Sequence, residues 1–132
     1  MRIIILDTNF WLLPFEKGLD VFGQIERLSE DEPYVLVATS SVLDELEAMS
    51  RSKVKRKNVL AARGALRAIQ NWQVSGKVLV VPTDGPADGT IITLALQMGA
   101  WVATNDRALR MRLHEKRIRV LLLRDEHKID FF

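Results

Sequence analysis

Five short apolar runs, each four or five residues long and none broken by polar alternation, constrain this chain more than any other feature. They lie at residues 3–6, 34–38, 78–81, 101–104 and 120–123. A strand with one wet face alternates apolar and polar residues. A run without alternation is covered on both faces, which is the mark of a parallel sheet. Between the runs, the apolar residues recur with helical spacing. Leu19, Phe22 and Ile25 mark one helix, Val42, Leu46 and Met49 a second, and residues 59–72 a third. Ile91, Leu94, Ala95 and Met98 mark a fourth, and Leu109 and Leu113 a last one. Pro86 suits a first helical turn, and Gly99 suits a helix end just before a strand. Strands alternating with helices imply βαβ units. The expected fold is therefore α/β: a three-layer α/β/α sandwich around a central, mainly parallel sheet of about five strands. With 132 residues and no linker or repeat, residues 1–132 read as a single domain.

Composition narrows the chemistry. There is no cysteine, which excludes disulfides, zinc–thiolate sites and a cysteine nucleophile. The only histidines are His114 and His127, too few for a histidine-rich metal centre. A metal here must be held by carboxylates, which favours hard ions such as Mg2+ or Mn2+. No apolar stretch reaches the length of a membrane span or a secretory h-region, so the expected location is the cytoplasm, with no membrane partner.

In open parallel α/β sheets, ligands bind beyond the carboxyl ends of the strands. Asp7 immediately follows the first run, and Asp106 follows the fourth after Thr104 and Asn105. Glu45 falls in the first turns of the helix after the second run, and Asp88 in the first turn of the helix after the third. Helix capping is the plain alternative for Asp88 and Asp106. Of the acids near Glu45, Asp44 points away from the Val42/Leu46/Met49 stripe, whereas Glu45 flanks it. Asp7, straight after four aliphatic residues, is costly to desolvate unless something pairs with it. Carboxylates brought together repel one another unless a cation neutralises them. A divalent ion so held can activate water and stabilise charge on a phosphoryl group. Asp7, Glu45, Asp88 and Asp106 are thus the candidate catalytic and metal-binding residues.

The same residues resemble the PIN-domain nucleases. Asp7-Thr8-Asn9 after an aliphatic strand is similar to that family's opening motif, and the stretch 41–46 around Glu45 to its second. Ala87-Asp88-Gly89 opening an apolar helix resembles the third, and the stretch 102–109 around Asp106 the fourth, so that motif order and spacing are kept along nearly the whole chain. The resemblance implies a Mg2+- or Mn2+-dependent endoribonuclease acting on single-stranded RNA, with Asn9, Thr104 and Asn105 in support and frequent homodimerisation. Two branches come closest: PIN proteins that process ribosomal RNA, and VapC-type toxins paired with an antitoxin. Gly89 departs from relatives that carry a second acid there, which argues against a full two-metal site.

Five basic residues, Arg51, Lys53, Lys55, Arg56 and Lys57, lie within seven positions, and Arg107 and Arg110 open a second basic set that continues through Arg112, Lys116, Arg117 and Arg119. Both follow candidate acids, where a polyanion would need cations to hold it. A solvated surface is the alternative. No aromatic residues interleave with these cations in sequence, so backbone contacts with little sequence preference are expected. Trp72 and Trp101 read as core or sheet-edge packing, and Trp11 as core. Two other functions fit parts of the pattern. One is a phosphohydrolase with Asp7 as nucleophile, although Asn9 stands where such enzymes carry a second acid. The other is a non-catalytic RNA-binding module, although all four acids are present.

Overall fold

The computed structural model describes residues 1–53 and 56–132. Six strands form one sheet: β1 (Arg2–Leu6), β2 (Tyr34–Thr39), β3 (Val78–Val81), β4 (Trp101–Ala103), β5 (Val120–Leu123) and β6 (Ile129–Phe131). Their spatial order is β3-β2-β1-β4-β5-β6. The first five are mutually parallel, with Ile4 opposite Leu36 on one side and Trp101 on the other. β6 runs antiparallel to β5 along the edge. Six helices complete the fold: α1 (Thr8–Lys17), α2 (Val21–Leu28), α3 (Ser40–Ser50), α4 (Arg56–Val74), α5 (Ala87–Met98) and α6 (Arg107–Glu115).

The pleat of the strands sorts the core into two layers. Ile4, Leu6, Leu36, Ala38 and Ala103 pack with Phe10, Trp11, Ile25, Leu46 and Ile69 from α1 to α4. Ile5, Val37, Val102 and Val120 pack on the other face with Ile91, Ala95, Leu109 and Leu113 from α5 and α6. The central strands are buried on both faces, as their unbroken apolar runs predict. β3 departs from that expectation, because it is an edge strand and leaves Leu79 about half exposed.

Two elements go beyond the sequence reading. α1 begins directly at Asp7, which caps it, and ends at Gly18 in the left-handed conformation (φ 63°). Pro14 lies inside it, leaving one carbonyl of the preceding turn without its amide. The sixth strand places Phe131 against Trp101, ring centroids 5.1 Å apart. Gly99 (φ 62°) ends α5 as expected, whereas Pro86 is its N-cap, with extended backbone, and stands one residue before the first turn. Among the described residues no helix is long and apolar enough to cross a membrane.

Candidate active site

The chain leaves β1 toward β2 and β3 on one side, then crosses back through α5 to start β4 on the other. The carboxyl ends of β1 and β4 therefore flank the switch point of the sheet, where the crevice of such folds opens. Asp7 stands at the end of β1. Its backbone N–H continues the ladder by donating to the Ala103 carbonyl (2.9 Å). Thr104, Asn105 and Asp106 stand at the end of β4.

Asp7 is only 7% exposed, and its carboxylate is held by three donors. The Thr8 backbone N–H reaches Oδ1 at 2.9 Å, while the Thr104 hydroxyl and the Asn9 amide reach Oδ2 at 2.8 and 3.3 Å. Thr104 Oγ1 also accepts from the Asp106 backbone N–H (3.1 Å), so one buried hydroxyl links two of the predicted acids. Asn9 Oδ1 accepts from the Asn105 N–H (3.1 Å), and Asn105 Oδ1 accepts from the Leu123 N–H (2.9 Å). The three predicted supporting residues thus tie the ends of β1, β4 and β5 into one network.

Thr8 adds a link that was not singled out in the sequence. Its hydroxyl donates to Glu45 Oε2 at 2.8 Å, which ties Glu45 to the residue that follows Asp7. The available signal was a hydroxyl residue directly after an acid at a strand end. Glu45 sits on α3 beside the buried Val42 and Leu46, as the helical geometry predicts. α3 is anchored at this rim by Thr39, whose hydroxyl caps Val42 N–H. Ser40 Oγ accepts from the Thr83 N–H (2.8 Å) and holds the loop that leads to Asp88.

Asp88 lies in the first turn of α5 without being its cap. Asp106 is a cap: Oδ1 accepts from the Leu109 N–H at 3.0 Å. The capping alternative therefore holds for Asp106, and for Asp7 as well, but not for Asp88. Capping and ligand binding are compatible, since the cap occupies one oxygen of a group with two.

Burial raises the Asp7 carboxyl above the usual carboxylate range. The bonds from Thr104 and Thr8 pull the other way, and the charges of Asp88 and Glu45 add to the rise. Among the described residues the ion pairs are Arg2–Glu32, Arg124–Asp130 and Lys128–Asp130, so no side-chain cation compensates the four acids. This charge and this all-oxygen donor set fit a hard divalent ion. As the side chains stand, no three His, Asp or Glu among the described residues form a group that could hold one, so the fit is one of charge and donor type rather than of a closed coordination shell.

The basic residues fall into two places. Arg51, Lys53, Arg56 and Lys57 are exposed around the α3–α4 junction, and Lys55 lies outside the described residues. α4 ends near the start of β3 and its 19 residues span about 28 Å, against about 20 Å for β2, so its first turn reaches toward the carboxyl end of the sheet. Arg107 is exposed at the start of α6, close to Asp106. Arg110 turns instead onto Phe132, its guanidinium 4.9 Å from the ring centroid. Arg2 and Arg119 likewise stack on Trp101, and Arg119 also on Phe131. No aromatic residue interleaves with the basic sets in sequence, but the fold brings Phe132 to Arg110, and Trp101 and Phe131 to Arg119, from distant parts of the chain.

Comparison with known proteins agrees with this architecture. The chain is 32% identical to Ribonuclease VapC4 of Methanocaldococcus jannaschii over 134 aligned positions, covering 100% of this chain and 98% of that protein. It is 27% identical to Ribonuclease VapC9 of Archaeoglobus fulgidus, covering 98% and 88%. The solved PIN domain endonuclease Utp24 superposes with a TM-score of 0.75 at 23% identity, covering 98% of this chain and 90% of that one. Residues 4–126, from the middle of β1 past the end of β5, match the model of the PIN-like domain, and with the switch-point geometry described above this establishes that the chain belongs to the PIN-like domain family.

Proposed function

We propose that the protein is an endoribonuclease that hydrolyses phosphodiester bonds of single-stranded RNA at the carboxyl end of its sheet, with Mg2+ or Mn2+ as cofactor. The observation that carries this reading is the state of Asp7: a buried carboxylate at the switch point, with Glu45 held by the hydroxyl of the next residue, Thr8, and no basic side chain paired to it. The ribonuclease names of the two relatives support it, and they favour the VapC-type branch over a non-catalytic module. Asp7, Glu45, Asp88 and Asp106 are the residues that would hold the ion. Once bound, a divalent ion would supply Lewis acidity and lower the pKa of a coordinated water.

The chain's own residues do the positioning. Thr104 orients Asp7 through Oδ2, and the Thr8 N–H holds Oδ1. Thr8 holds Glu45 from the side facing Asp7. Arg107 and the exposed cations at the α3–α4 junction offset the repulsion between the acidic rim and a polyanion. Water is the nucleophile in this reading, and no phosphoaspartyl enzyme forms. The test is cleavage of a labelled single-stranded RNA with Mg2+, Mn2+ or chelator, together with direct titration of Mn2+. Metal-dependent cleavage, lost in Asp7→Asn along with Mn2+ affinity, is the expected result. Cleavage at the wild-type rate by Asp7→Asn in Mg2+ or Mn2+, or a trapped acyl phosphate on Asp7, would overturn it.

A further inference from the structure

α6 starts at the acidic rim, where Asp106 caps it, and its nine residues carry the chain about 14 Å back toward the amino end of the sheet. Arg107, Arg110 and His114 follow one another at helical spacing along one stripe of it. The stripe ends on Phe132, whose ring receives the Arg110 guanidinium and, 5.1 Å away, the edge of His114. Phe132 is nevertheless 46% exposed. Beyond it opens a cleft of about 470 Å3, lined by His114, Arg117, Arg119 and Phe132, with Glu115 as its only acid. Arg117 adopts the left-handed conformation (φ 60°) that closes the helix. Glycine takes that conformation at no steric cost, whereas a residue with a Cβ is strained there. An arginine at such a position, over a cleft with two other basic side chains, points to a use for its side chain.

We propose that this cleft is a nucleotide subsite remote from the acidic rim. It takes single-stranded RNA that extends past the cleaved bond, with a base against Phe132 and phosphates against Arg117 and Arg119, while Arg107 and Arg110 carry the backbone along α6. An aromatic ring among guanidinium groups is the combination that binds single strands: rings stack bases, and cations track the backbone. The proposal rests on the reading of the rim as an RNA-cleaving site and adds a length requirement to it.

The experiment measures affinity by fluorescence anisotropy, with chelator present to block cleavage, for single-stranded RNAs of roughly four and roughly ten nucleotides, within the site sizes such grooves span. The unaltered protein should bind the longer RNA more tightly. Phe132→Leu, which keeps apolar cover but removes the ring, should weaken the longer RNA by about 5- to 160-fold, the range for loss of one stacked base. Arg117→Gly should reduce the slope of log affinity against log salt by about 0.7, one phosphate contact on a single strand. Its melting temperature should not fall below that of the unaltered protein, because glycine relieves the backbone strain. A destabilised Arg117→Gly would show that the side chain serves the fold instead, and would overturn the proposal. So would unchanged affinity and slope in both variants while the unaltered protein still cleaves RNA, leaving the reading of the rim intact. Displacement of the RNA by polyglutamate at equal charge concentration would overturn it in favour of an acidic protein partner. Absence of any RNA binding or cleavage by the unaltered protein would overturn both readings.

Discussion

The two ends of the sheet handle charge in opposite ways. At the amino end, the Arg2 guanidinium lies 4.2 Å from the Trp101 ring centroid and pairs with Glu32 at 3.1 Å, and Arg119 lies 4.5 Å from the Phe131 centroid. Both of these cations meet a ring face or a carboxylate. At the carboxyl end, Asp7, Thr8, Thr39 and Thr104 are buried together, and Asp7 meets only hydrogen-bond donors and other acids. The first arrangement stabilises the native state. The second leaves negative charge uncompensated, which costs stability and creates a place for a cation. Asp7→Asn tests this contrast with the largest expected effect. It should lower cleavage by more than the roughly 10–100-fold typical of losing an outer-shell partner. Asparagine remains a good cap for α1, so the fold survives. In the absence of metal the variant should also melt higher. The raised Asp7 carboxyl keeps its proton in the folded state at a pH where the unfolded chain has already released it. Its contribution to stability therefore falls as pH rises from the ordinary value of 3.8 through the raised one. Thermal melts across that window should show the variant gaining on the wild type as pH rises, and added Mg2+ should close the gap. A constant difference across the window would mean that Asp7 carries no burden of charge.

A smaller effect separates the positioning network from the acids themselves. Thr104→Val keeps shape and removes the hydroxyl that joins Asp7 Oδ2 to the Asp106 N–H. Cleavage should drop by about 10–100-fold, with a stability loss of about 1 kcal/mol. Activity unchanged within error would show that Asp7 is oriented without it. The complementary change at the other end is Trp101→Ala, which removes a half-buried ring stacked by two guanidinium groups. Complete burial would make this cost about 3–5 kcal/mol, so about 2 kcal/mol is expected in chemical denaturation, with cleavage at permissive temperature unaltered for an RNA of roughly four nucleotides, too short to reach Arg119. Lost activity in a folded Trp101→Ala protein would break the division of labour between the two ends.

Much of the rim was legible in the sequence because it depends on local order. Asp7 is marked by following a strand directly, Thr104 by closing the fourth apolar run, Asp106 by coming two residues later, and the phase of Glu45 by the buried Val42 and Leu46 on α3. The parallel core was legible for the same reason, since its strands lack alternation. α1 was hidden because Phe10 to Leu13 are all buried and show no polar face, and Pro14 argues against a helix. β6 was hidden because three residues after a charged tail carry no period. The Thr8–Glu45 bond joins residues 37 positions apart, and the Arg2–Trp101 and Arg119–Phe131 stacks are likewise set by strand order, which no local pattern encodes.

The smallest effect concerns the basic residues at the α3–α4 junction, where charge is held against a local preference. Arg56 and Lys57 occupy the first turn of α4, and no acid accompanies them there. Helix N-termini carry partial positive charge, so cations in that turn are disfavoured by about 0.3–1 kcal/mol each at exposed positions. Both are exposed, so packing does not explain them. Contact with RNA phosphates would, because counterion release rewards each contact where the helix penalises the charge. Arg56→Gln combined with Lys57→Gln should therefore raise the melting temperature slightly while weakening binding of single-stranded RNA. If each residue meets one phosphate, the slope of log affinity against log salt should flatten by about 1.4, twice the single-strand value. Titrations at several salt concentrations, alongside thermal melts, measure both. A higher melting temperature with an unchanged slope would mark these residues as a solvated face. RNA would then have to approach the acids along Arg107 and α6, which would concentrate the cations that matter on the helix joining the two ends of the sheet.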